Sequence, residues 1–177
     1  MQTIVDQIQG YAAYHRDWRN KLTHFVGVPL IIYALFVALG WFRFVSPELL
    51  PLPLTGATLL LVGVSIYYMT LDTGLALLQL PFSLALLFMA DRASVAPFGH
   101  SAAIFGASFV GGWVIQLIGH AFEGRRPALV DNLMQVFNAP LFLLAEVLFA
   151  LGLRSKLREQ VESSYAWSSS VPGRGAE

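Results

Sequence analysis

Polar residues fall along this chain in short clusters separated by long apolar runs, and the runs set the predicted architecture. Four of them, at residues 22–44, 49–71, 73–90 and 101–122, carry hardly any charge. Each approaches or exceeds the roughly 20 residues that a helix needs to cross hydrocarbon. The second opens with Pro51 and Pro53, which suit a helix start, and the third contains Pro81, which should kink it. Only the turn around Asp72 separates these two, so they form a helical hairpin. A fifth apolar stretch, 139–153, is too short to span and carries Glu146, which either snorkels to the interface or sits protonated in the bundle. That length suits a re-entrant or interfacial helix. Residues 1–21 read as an amphipathic N-terminal helix, and 163–177, small, polar and bearing proline and glycine, as a disordered tail. The expected fold is all-α: an integral membrane helical bundle of four transmembrane helices plus the two flanking helices. Residues 1–162 form a single domain, with no internal repeat.

Composition strengthens the membrane reading. The 177 residues are 56% hydrophobic and 12% charged, against about 25% charged in soluble domains. A formal net charge of +0 argues against nucleic acid, whose phosphates call for a basic surface. The absence of cysteine excludes disulfides, thiolate ligands and cysteine nucleophiles. Residues 1–21 lack the apolar core and cleavage site of a signal peptide, so none is expected to be removed. With four spans, Arg16, Arg19 and Lys21 share a face with Arg125, Arg126, Arg154, Lys156 and Arg158, while Arg43 and Arg92 lie opposite. The positive-inside rule then puts both termini in the cytoplasm. The membrane is the inner one if the source is bacterial and the endoplasmic reticulum if it is eukaryotic.

That topology sorts the histidines. His15 and His24 lie where the first span begins and His120 where the fourth ends, all on one face. His100 opens the fourth span on the other face, about 30 Å away along a helix rising 1.5 Å per residue. Three neutral imidazoles at one end of a bundle suit Fe, Zn, Cu or Ni; otherwise they are interfacial histidines bonded to water or lipid. His15 and His24 can meet one ion only if the chain bends between them, for which Asn20 is the expected place. Glu123, three residues after His120, shares its helix face and is a possible further ligand. Gln116, one turn earlier, is a possible partner for the His120 ring. Asp72 is either a ligand or a turn residue. Arg125 and Arg126 either clamp a carboxylate or set topology beside anionic lipid. Gly106, Gly111 and Gly112 are expected to permit close helix packing.

Two stretches carry a resemblance. YHRDWRNKLTHFVGVP, residues 14–29, resembles the opening motif of the 2-hydroxy fatty acid dioxygenase family: Tyr14–His15, then Asn20, His24 and Pro29. GWVIQLIGHAFEGRRPALVDNL, residues 112–133, resembles its second motif, continued by APLFLLAEVLFALG. The likeness spans about two-thirds of the chain, in order. It implies a small membrane enzyme of fatty acid α-oxidation that uses Fe(II) and O2 to shorten a 2-hydroxy fatty acid by one carbon. His15, His24 and His120 then become iron ligands, with Arg125 and Arg126 available for the substrate carboxylate. Tyr14 and Asn20 are motif residues without an assigned role, and His100 lies outside both motifs.

Three rival readings remain. A small transporter needs charges in mid-span, where this chain has almost none. A di-iron hydroxylase needs more histidines. A non-catalytic lipid-binding or scaffold protein predicts that the histidines are dispensable.

Overall fold

The structure, a computed structural model, describes residues 3–12, 14–15, 17–45, 53–124 and 135–170. Among them every regular element is a helix: α1 (Ile4–Ala12), α2 (Trp18–Gly40), α3 (Gly56–Leu71), α4 (Thr73–Ser94), α5 (Phe98–Glu123), α6 (Gln135–Ala150) and α7 (Ser155–Ser170).

Three helices, α2, α4 and α5, are long and apolar enough to cross a membrane. The fourth expected span is shorter than its apolar run. At 16 residues, α3 measures about 24 Å, less than the ~30 Å hydrocarbon core. Its start is delayed because residues near the two prolines pair with the end of α2. The N–H of Phe44 donates to the Leu54 carbonyl and that of Gly56 to the Phe42 carbonyl, both at 2.9 Å. Only after this bridge does Thr55 cap the helix, its hydroxyl accepting from the Thr58 N–H. The prolines therefore precede the cap. Pro81 does not interrupt α4.

α6 ends at Ala150, and Gly152 just beyond it has a φ of 72°, which glycine adopts without strain. α7 then departs at 111° to α6, the bend of a broken span or a re-entrant loop. The helix continues to Ser170, within the stretch whose composition suggests a disordered tail.

α2 and α5 run antiparallel in close contact. A methyl group on Gly27 would lie 2.9 Å from the Gly112 carbonyl oxygen, and one on Gly112 3.0 Å from the Gly27 carbonyl oxygen. Small residues let the two backbones touch, the usual device where helices associate in lipid. At Gly106 and Gly111 nothing lies within 4 Å, so these two expected packing glycines are not used. Gly119 is. It falls two turns from Gly112, on the same face, whereas Gly111 points about 100° away.

The outer surface stays apolar. Leu22, Val26, Leu59, Ile66, Phe88 and Val114 are among many exposed large hydrophobic side chains, a pattern that fits lipid as solvent. Tyr11, Leu75, Phe142, Ala145 and Val161 belong to a core that joins α1, α4, α6 and α7 beside the histidine end.

Candidate metal centre

α1 stops at Ala12 and α2 starts after Asp17, whose carboxylate accepts from the Arg19 N–H at 2.9 Å. The bend between His15 and His24 therefore lies before Trp18, where α2 begins. Asn20, the expected hinge, is inside α2 and fully buried. The break frees His15 from the 3.6-residue phase of α2, so that both imidazoles point the same way.

His15, His24 and His120 are all buried, and each offers one nitrogen within 4.8 Å of the others. The ring centroids are 4.3, 5.1 and 5.0 Å apart. The Nδ1 of His15 faces the Tyr11 carbonyl at 2.8 Å, and the Nδ1 of His24 faces the Asn20 carbonyl at 2.9 Å. A carbonyl oxygen only accepts, so each Nδ1 carries the proton. Both Nε2 atoms are then bare, yet they stand 3.0 Å apart. Two lone pairs at that distance repel unless a cation lies between them. A proton is a poor choice: burial first, then His24, His120 and Lys21, push His15 down to about 3, opposed by the Tyr11 carbonyl. The third histidine adds a buried Nδ1 with no hydrogen-bond partner. Facing lone pairs, backbone-fixed tautomers and an orphaned nitrogen together fit a bound divalent transition metal.

The site is walled by aromatic rings. Tyr11 stacks on His15 with centroids 4.1 Å apart and planes 4° from parallel. Phe142 of α6 touches both Tyr11 and His15. Tyr11 lies one helical turn before His15, a spacing visible in sequence. Phe142 comes from a distant element and leaves no local signal.

The family profile described as "2-hydroxy-palmitic acid dioxygenase Mpo1-like" matches residues 1–151. The chain belongs to the Mpo1-like family. A relative within reach is the 2-hydroxy-palmitic acid dioxygenase MPO1 of Saccharomyces cerevisiae, 32% identical over 160 residues, which cover 88% of this chain and 86% of that protein. No solved structure matches the chain.

The remaining motif residues of this Mpo1-like protein divide clearly. The Glu123 carboxylate binds the bend before α2: its Oε2 accepts from the Asp17 N–H at 2.9 Å and from the Asn20 amide at 3.1 Å. Asn20 also donates to the Tyr14 carbonyl at 3.2 Å, so it ties the bend to α5. Gln116 does not reach the His120 Nδ1; its side chain lies over Gly27. Asp72 sits apart from the histidines, capping α4 through the Leu75 N–H and pairing with Arg154 at 2.7 Å. His100 is exposed in the first turn of α5, at the other end from His120. Glu146 is ion-paired with Lys21 at 2.8 Å. Arg125 and Arg126 lie outside the described residues.

Proposed function

We propose that this protein is a membrane-embedded non-haem iron dioxygenase that shortens a 2-hydroxy fatty acid by one carbon, the reaction of fatty acid α-oxidation. The observation that carries this is the pair of bare Nε2 atoms of His15 and His24 facing each other at 3.0 Å beside His120. Family membership and the name of the yeast relative support the substrate class. His15, His24 and His120 would hold Fe(II), which supplies the redox partner that O2 requires.

The rest is the work of the chain. The Tyr11 and Asn20 carbonyls keep each Nδ1 protonated and so aim each Nε2 inward. Glu123 and Asn20 hold the bend against the end of α5. Tyr11 and Phe142 cover the rings and exclude water. Three protein ligands would leave the metal accessible to a 2-hydroxy acid and to O2, and the acyl chain would lie along apolar helix surfaces. Arg125 and Arg126 follow directly after Gly124 in the sequence and are proposed partners of the carboxylate. With four spans, the cation bias would favour both termini on the cytoplasmic side.

The test is metal content of the purified protein after anaerobic loading with Fe(II), for wild type, His15→Ala, His24→Ala, His120→Ala and His100→Ala. Near-stoichiometric iron lost in the first three variants and kept in the fourth is the expected result. Iron absent from wild type, or retained throughout, removes the basis for the enzyme and leaves a lipid-binding protein.

A further inference from the structure

His15 also lines a cavity of about 340 Å³ between α1, α6 and α7. None of the other two histidines lines it. Ile8 and Ala12 of α1, Phe149 of α6 and Val161 of α7 make its apolar sides. Its charged groups are Lys21, Glu146, Arg158 and Glu162. These are two ion pairs, Lys21–Glu146 at 2.8 Å and Arg158–Glu162 at 2.7 Å.

The two pairs differ in what they can do. Arg158 and Glu162 are one turn apart on α7 and both side chains are more than half exposed, as on many solvated helix faces. Lys21 and Glu146 are partly buried and join α2 to α6. The Lys21 ammonium lies 5.9 Å from the centroid of Phe142, the ring that in turn covers His15. Lys21 is thus a cation at electrostatic range of the histidine centre, facing the same cavity. An ammonium has three donors, and Glu146 engages one. A cavity this size lies within the range of small-molecule sites, roughly 300–1,000 Å³. It has room for a polar head and the first carbons of a chain.

We propose that this cavity receives the head of the substrate, with Lys21 binding its carboxylate and Glu146 acting as the anion that holds Lys21 in place until the carboxylate arrives. The inference rests on the reading that the histidine centre acts on 2-hydroxy acids. It makes Lys21 and Glu146 opposite in effect. Removing the ammonium weakens binding of a free acid, while neutralising Glu146 removes a competing anion and strengthens it. Neither change alters binding of an uncharged ester.

The experiment is anaerobic equilibrium binding of 2-hydroxypalmitic acid and of its methyl ester to the full chain in lipid nanodiscs. Wild type, Lys21→Met, Lys21→Arg and Glu146→Gln are compared, with metal content measured on each. Wild type should prefer the acid. Lys21→Met should lose about tenfold or more of that preference, since a charge-assisted hydrogen bond is at stake. Lys21→Arg should keep most of it, and Glu146→Gln should raise it. If the pair is only a tie between α2 and α6, the two neutralising variants lower thermal stability alike and leave the acid-to-ester ratio where it was, which overturns the proposal. Glu146→Gln decides the matter even if Lys21→Met does not fold. Wild type that holds no metal counts against the iron reading, and its acid-to-ester ratio still judges Lys21. Metal with an unchanged ratio does the reverse.

Discussion

The carboxylate of Glu123, in the last turn of α5, accepts the backbone N–H of Asp17, the residue that caps α2. This bond spans 106 positions of sequence and closes the histidine end of the molecule. Through it the helix that carries His120 grips the bend that carries His15.

Glu123 is therefore predicted to act through position. Glu123→Ala leaves the Asp17 N–H and the Asn20 amide without this acceptor, and a buried donor left unpaired costs about 1–3 kcal/mol. The variant should melt earlier and hold iron more weakly. Glu123→Gln keeps an acceptor and should sit between it and wild type. Thermal unfolding alongside metal content separates this from direct ligation, which would abolish iron with the melting point unchanged.

Gly119 should tolerate no side chain. A Cβ there would lie 2.0 Å from the Thr23 hydroxyl and 2.5 Å from the Asn20 side-chain oxygen. Gly119→Ala must push α5 away from α2, and with it His120 from its partners. Loss of iron and a melting point lowered by several degrees are expected. Gly111→Ala, with nothing within 4 Å, should match wild type in both measurements.

Asn20→Asp tests the charge at the bend. Asn20 is fully buried and its amide donates to Glu123. A carboxylate in its place has no proton to give and repels Glu123, with no room for water to screen it. The variant should be less stable than Asn20→Ala in the same melting experiment. Equal losses would mean that the amide merely fills space.

Asp72 should matter for stability and not for metal. Asp72→Asn keeps a cap for α4 and gives up a partly exposed ion pair, a change of about 0–1 kcal/mol. Asp72→Ala loses the cap as well, about 1 kcal/mol more. Iron content should be unaffected in both.

Much of this protein was legible from its sequence, because lipid imposes a simple rule on side chains. A run of apolar residues long enough to cross hydrocarbon marks a helix wherever it occurs. That placed α2, α4 and α5. Counting spans put His15, His24 and His120 on one face and His100 on the other, since an even number of crossings returns the chain to its starting side. The family was legible as well, from two motifs whose order and spacing survive the apolar residues between them.

Contacts made across the chain were not legible. The bend before α2 depends on where Glu123 and Asn20 find donors and acceptors, and neither is local to His15. The short α3 reflects backbone groups taken by a bridge between residues 43 and 55, which hydropathy does not register. Which glycines pack depends on helix phase: Gly112 and Gly119 face α2, and their neighbour Gly111 does not. The pairing of Lys21 with Glu146, and the cavity they line, exist only once α6 lies against α2. Sequence thus determined three of the segments long and apolar enough to cross a membrane and which end of the bundle holds the histidines, because hydropathy is carried by each segment separately. Only the tertiary structure decided how three imidazoles come to share one point, because that geometry depends on hydrogen bonds between segments a hundred residues apart.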